Sequence, residues 1–122
     1  MWVFLNDAMV SAVAHRTKPG QLMVRARLAG DLERFFGRVG VKPKVERTPD
    51  ADYAYRCTVP LAVFQDCLVE AAAAIDYANF KGSLRGAGGS HLATRSVASH
   101  GAWDAMFDAQ TTAEPDTGRG AW

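Results

Sequence analysis

From Pro60 onward, apolar side chains recur at the spacing of one helical face. Leu61, Phe64, Leu68, Ala71 and Ile75 form the stripe, Val63, Cys67 and Ala74 widen it, and Asp66, Glu70 and Asp76 stay polar. Proline suits the first turn of such a helix, where its missing amide proton costs no hydrogen bond. A helix apolar on one side is stable only when that side is covered. What this chain must supply, therefore, is a surface for residues 60–75 to lie on.

The segments upstream read as that surface. Leu22, Val24 and Ala26 alternate with Met23, Arg25 and Arg27, the period-two pattern of a strand with one core face and one solvated face. Thr17-Lys18-Pro19-Gly20 before it is a turn, with the run from Ala8 to His15 a strand on its other side and Trp2 to Leu5 a further strand beyond Asn6-Asp7. Neither face of the second run is clearly polar, which favours a central position in the sheet. Tyr53 to Val59 is aromatic and β-branched enough for another strand. Between these lie a short helix at Gly30-Asp31, with Asp31 as its cap and Leu32, Phe35 and Phe36 as its apolar stripe, and an irregular stretch from Arg38 to Asp52 in which Val41 and Val45 mark an edge strand.

The fold class expected is α+β: a small antiparallel sheet of three to five strands covered by a main amphipathic helix, with a short helix and a C-terminal helix. With 122 residues and 48% hydrophobic content the chain suits one domain and excludes a disordered or fibrous class. Residues 1–84 read as the core, 85–101 as a flexible glycine-rich connection, and 102–122 as a short helix around Trp103, Met106 and Phe107 followed by a frayed tail. The apolar opening has no basic leader and stops after too few residues for a signal or membrane span, so a cytoplasmic location and no membrane association are expected. Cys57 and Cys67 read as buried free thiols.

The net charge of +1 excludes a strongly basic or acidic protein, but its distribution is uneven. Residues 1–60 carry ten Lys or Arg against six Asp or Glu, and residues 61–122 four against seven. Arg25, Arg27 and Arg56 form the best candidate cluster, with Tyr53 and Tyr55 beside them and Arg16 and Lys18 as outlying members. If the two strands that bear them are neighbours, the arginines line one sheet face and can grip phosphate or carboxylate bidentately. Both tyrosines have the opposite parity from Arg56 and could instead face the core. Trp2, Phe4, Tyr77 and Phe80 form a second set, either recruited into the core or partly exposed as rigid anchors for a protein partner.

No catalytic, cofactor-binding or metal-ligating set stands out. His15, His91 and His100 are scattered, the cysteines are not closely paired, and Gly86-Ala87-Gly88-Gly89-Ser90 lacks the lysine and hydroxyl residue of a phosphate-binding loop. Cys67 lies in an apolar stripe, where a thiol is inaccessible rather than activated. A small hydrolase using His91 or His100 with the Asp50 and Asp52 region is the weakest functional reading.

Residues 1–84 resemble a family of small, mostly uncharacterised bacterial, phage and mobile-element proteins. The resemblance is carried by Trp2 to Asp7, Leu22-Met23-Val24-Arg25-Ala26-Arg27, Gly30-Asp31-Leu32-Glu33-Arg34-Phe35, Asp50-Ala51-Asp52-Tyr53-Ala54-Tyr55-Arg56 and Asp76-Tyr77-Ala78-Asn79-Phe80-Lys81. The glycine-rich 82–101 stretch and the polar end depart from that pattern. Small phage proteins of this size include inhibitors of bacterial defence complexes, anti-CRISPR proteins among them. What the resemblance implies is a protein-binding inhibitor or adaptor acting without a cofactor on a bacterial protein or ribonucleoprotein. A single-stranded nucleic-acid-binding module is the alternative. A homodimer could cover an exposed edge of the sheet.

Overall fold

The computed structural model describes residues 1–87 and 91–115. The fold is α+β. Strands β1 (Trp2–Phe4), β2 (Met9–Ala14) and β3 (Gln21–Ala26) form an antiparallel meander, helix α1 (Asp31–Gly37) follows, and β4 (Glu46–Arg47) and β5 (Tyr55–Pro60) complete a five-stranded sheet in the order β1-β2-β3-β5-β4. Helix α2 (Leu61–Ala73) leaves β5 directly. Helix α3 (Phe80–Ser83), a single turn of 3-10 helix at Leu84–Ala87, and helix α4 (Leu92–Thr112) end the described chain.

Alternation along the strands divides the sheet into two unlike faces. Val10 and Ala12 of β2, Val24 and Ala26 of β3, and Cys57 and Val59 of β5 are buried against Leu32, Phe35 and Phe36 of α1 and Phe64 and Cys67 of α2. The three phenylalanines form the centre: Phe35 meets Phe36 edge-on at 5.1 Å and Phe64 at 5.4 Å between ring centroids, spacings at which aromatic pairs add to simple burial. Burial pushes the Cys57 thiol up to about 12, helped by the Glu33 charge, and burial likewise raises Cys67, where Arg38 opposes it and Asp66 adds to it. Both cysteines are free and buried, which makes them core residues and not nucleophiles.

The stripe predicted for residues 60–75 narrows in the structure. Phe64 and Cys67 are buried, Val63 and Leu68 pack partly on the core, Leu61 remains exposed, and Ile75, also exposed, lies beyond the helix end at Ala73. Pro60 is the capping residue just before the first turn and also the last residue of β5. The edge strand falls on Glu46–Arg47, whereas Val41 and Val45 turn inward to the core.

Two expectations about the helices are overturned. Asp31 does not cap α1: Gly30 does so in the left-handed conformation (φ 87°), with no side-chain cap. A Cβ at Gly30 would come within 2.6 Å of the Arg34 guanidinium, so glycine answers both the dihedral and the close approach. The second correction is at the C-terminal end. Most of the expected flexible connection is ordered, and the final helix begins at Leu92, ten residues before the predicted start, and runs for 21 residues. Residues 88–90, at the centre of the glycine-rich stretch, and the tail from 116, including Trp122, lie outside the described residues. Among the described residues, no helix is long and apolar enough to cross a membrane.

Candidate functional site

The face of the sheet away from α1 and α2 carries the candidate residues. Antiparallel register places Trp2 opposite Ser11, Ser11 opposite Arg25, Arg25 opposite Arg56 and Arg56 opposite Glu46, a single row across all five strands. Phe4 pairs with Met9 in the next row, and Val13, Met23 and Thr58 form another. The expected alignment of the β3 and β5 arginines on one face is therefore observed.

The five candidate residues do not all meet. Tyr55 belongs to the opposite face, where it packs partly buried on the core. Tyr53 has the same sequence parity but precedes β5, so the alternation does not reach it. It lies instead beneath the arginines, only 6% exposed, with the Arg25 and Arg27 guanidinium carbons 4.4 and 4.0 Å from its ring centre. Two cations on one ring form a stack that orients both. Burial raises the Tyr53 phenol, but the Ser11 hydroxyl and the charges of Arg27 and Arg25 outweigh it and hold the group below its ordinary value of 10.0.

Each arginine has intramolecular work. Arg25 Nη2 donates to Ser11 Oγ at 2.8 Å, while its buried Nε has no hydrogen-bond partner among the described residues. Arg56 donates to Asp52 Oδ1 at 3.2 Å and to Thr48 Oγ1 at 3.3 Å. Arg27 is held through the Tyr53 ring and is otherwise exposed. Rigid, partly engaged arginines make a shaped cationic surface rather than a set of free phosphate tethers.

Next to this cluster the sheet is apolar and open. Trp2 is 74% exposed, and its ring stacks nearly parallel to Phe4, 6.4 Å between centroids. The two rings border a cavity of about 200 Å³ lined also by Met9, Val10, Ser11 and Tyr53 and by Arg27, Leu28, Thr94 and Ala98. Of the aromatic set predicted as core or anchors, Trp2 and Phe4 are exposed, while Tyr77 and Phe80 pack partly buried on each other at 6.0 Å. The exposure of Trp2 and Phe4 follows from β1 being an edge strand whose outer face no helix covers fully.

Thr94 and Ala98 reach this cavity because α4 is pinned at its second turn. Arg95, 1% exposed, makes a two-pronged ion pair with the fully buried Asp31: Nη1 donates to Oδ2 at 2.9 Å and Nη2 donates to Oδ1. The same carboxylate accepts from Arg34 Nη2 at 2.6 Å and from the Met9 amide at 2.9 Å. One side chain thus ties together β2, α1 and α4 across 64 residues of sequence. A buried carboxylate is tolerable only when it is matched this fully. Arg95 was not singled out by sequence reasoning, although it is the sole Lys or Arg between Arg85 and Arg119. Isolation of a cation within a small-residue helix was the available signal.

The hydrolase residues are dispersed. His100 Nε2 lies 3.4 Å from Asp104 on its own helix, Asp52 is paired with Arg56, and His91 occupies the left-handed position before α4 (φ 64°). His15 Nδ1 accepts from the amides of Thr17 and Lys18 and so shapes the β2–β3 turn. Among the described residues no three metal-ligating side chains cluster. Comparisons with family models, with curated proteins and with solved structures return no match to this chain.

Proposed function

We propose that the open sheet face is a protein-binding surface and that the chain acts as a small inhibitor or adaptor. The observation that carries this reading is the junction of the exposed Trp2–Phe4 stack with the Arg25–Tyr53–Arg27 stack on one side of the sheet. Rigid aromatic rings beside oriented arginines are the residue types that dominate binding energy when a partner excludes water from them. The chemistry selects a partner with an apolar knob and acidic side chains around it. Blocking such a surface on a larger assembly is steric and electrostatic and requires no cofactor. The resemblance of residues 1–84 to small bacterial, phage and mobile-element proteins makes a cytoplasmic bacterial defence complex, protein or ribonucleoprotein, the first partner to test.

Affinity capture from a bacterial host after nuclease treatment tests the proposal. A complex that survives nuclease and is lost with Trp2→Ala or Arg27→Glu supports it. Loss of every captured species to nuclease alone overturns it. The same face can also stack a base on Trp2 while Arg27 meets a phosphate, which favours single-stranded nucleic acid as the second reading. Oligonucleotide binding by the purified chain, with affinity falling steeply as salt rises, would establish that reading in place of the first.

A further inference from the structure

The second half of α4 presents an apolar stripe that the described residues cover only in part: Lys81 Nζ lies 4.9 Å from the Trp103 ring centre, and Phe4, Phe80 and Lys81 border a pocket with Ser99, Ala102 and Trp103. Arg95, Ser99 and Ala102 face the rest of the molecule, and the same helical face continues through Trp103, Met106 and Phe107 into solvent. Met106 is 70% exposed, and Trp103 and Phe107 stack in parallel at 5.1 Å with about half of each ring open. The groove beside them is bordered by Trp103, Met106, Phe107, Ala109 and Gln110, all residues of α4 itself. The electrostatics of this arm are one-sided: residues 96–115 carry Asp104, Asp108 and Glu114 and no Lys or Arg.

The open sheet face has the complementary character. It offers Trp2 and Phe4 with Val13 and Met23 as apolar ground, and Arg25, Arg27 and Arg56 as cations. Its acidic groups are Glu46, next to Arg56 in the cross-strand row, and Asp52, already held by Arg56. Arg25 and Arg27 are left as the excess charge. An acidic helix with aromatic rings and a basic sheet with aromatic rings, both partly exposed, match in sign and in kind.

We infer that the occupant of this face is the α4 arm of a second copy of the chain, exchanged reciprocally in a twofold dimer. The inference rests on the sheet face being a protein-binding surface, as proposed above, and names one partner for it. Dimensions permit the exchange. The exposed stretch from Trp103 to Thr112 spans about 15 Å of helix, and neighbouring strands lie about 4.8 Å apart, so one arm reaches across three to four strands. Buried aromatics withdraw roughly 150–250 Å² each, so the open parts of Trp103, Met106 and Phe107 amount to on the order of 400 Å² per arm. Counting the sheet patch beneath each arm and both copies of the contact, the dimer buries on the order of 1,600 Å², the size of a stable interface. A twofold axis between the chains makes the exchange reciprocal and closes the assembly at two copies.

Sedimentation velocity on the full chain tests this directly, with far-UV circular dichroism as the check that each variant is folded. The wild-type chain is expected at twice 13.2 kDa at roughly 100 µM. Asp104→Arg/Asp108→Arg on the arm and Arg27→Glu/Arg56→Glu on the face should each weaken the dimer at least tenfold. Mixed in equal amounts, the two variants should recover it, since both contacts of the mixed dimer then pair opposite charges. Should the arm variant fail to fold, Met106→Arg at the same exposed stripe replaces it. A wild-type chain that stays monomeric, a dimer indifferent to both variants, or a mixture that stays monomeric overturns the inference. A monomer that still captures a bacterial protein through Trp2 and Arg27 would retain the proposed function and lose only the self-exchange.

Discussion

Helices α2 and α4 are held to the same body by opposite means. The 13 residues of α2 bury Phe64 and Cys67 and pack Val63 and Leu68 on the apolar sheet, a broad contact whose strength grows with area and tolerates imprecision. The 21 residues of α4 bury one side chain, Arg95, and that side chain is charged. Its attachment centres on the matched hydrogen bonds of Arg95, with lighter contacts such as Lys81 over the Trp103 ring, and much of its length remains exposed. Area-driven docking produces a core; point docking produces an arm.

Substitutions at the two attachment points separate these modes. Phe64→Ala should have the largest effect, about 4 kcal/mol from lost burial and the cavity left beside Phe35. Chemical denaturation should show one transition moved bodily to lower denaturant, since the sheet loses its cover. Arg95→Ala should cost about 3 kcal/mol, at the lower end for a broken buried pair because Asp31 keeps Arg34 and the Met9 amide. Here the damage should be local: protease sites between residues 91 and 112 open and helical ellipticity falls, while β1 to β5 keep their amide protection. Global unfolding by Arg95→Ala at the level of Phe64→Ala would show that α4 belongs to the core after all.

Smaller effects sharpen the contrast between the two sheet faces. On the covered face, Cys57, pushed up to about 12 by burial, should react with a thiol reagent at pH 8 only through unfolding, so its labelling rate should follow denaturant stability. On the open face, Tyr53 should ionise below free tyrosine in an ultraviolet titration, and Ser11→Ala or Arg27→Ala should move it upward. The sign follows from linkage. A folded-state value below the unfolded one stabilises the native protein above pH 10, and that contribution disappears as pH falls through the folded value. A Tyr53 whose titration is the same in the wild-type chain and in both variants would mean that Ser11 and the stacked Arg27 do not act on it.

The β1-β2-β3 meander and the existence of α1 and α2 were legible because their signals are local, whereas the pairing of β5 with β3 and β4 was not. Alternation at Leu22 to Arg27 and the spacing from Leu61 to Leu68 are physical periods imposed by strand and helix geometry. The candidate face was partly legible for the same reason: parity put Arg25 and Arg56 on one side once their strands paired. Parity misplaced Tyr53 relative to Tyr55 only because the strand starts two residues later than its composition suggests. The ordered α4 was not legible at all. Its glycines, serines and alanines give it little apolar periodicity, and a composition that reads as loosely ordered became a helix because of an attachment far away in sequence.

Taken alone, then, the residues of this chain determine periods, parities and breaks, and through them an antiparallel sheet with a covered face. What the tertiary structure decides is which unlike residues meet: that Asp31 holds Arg95 instead of capping α1, that Tyr53 lies under Arg25 and Arg27, and that Trp2 stays largely in solvent while Lys81 sits over the half-exposed Trp103. The reason is physical. Burial of apolar area is additive and can be read from each segment separately, whereas an ion pair or a stacked cation exists only when two distant groups are brought within a few ångströms in the right orientation.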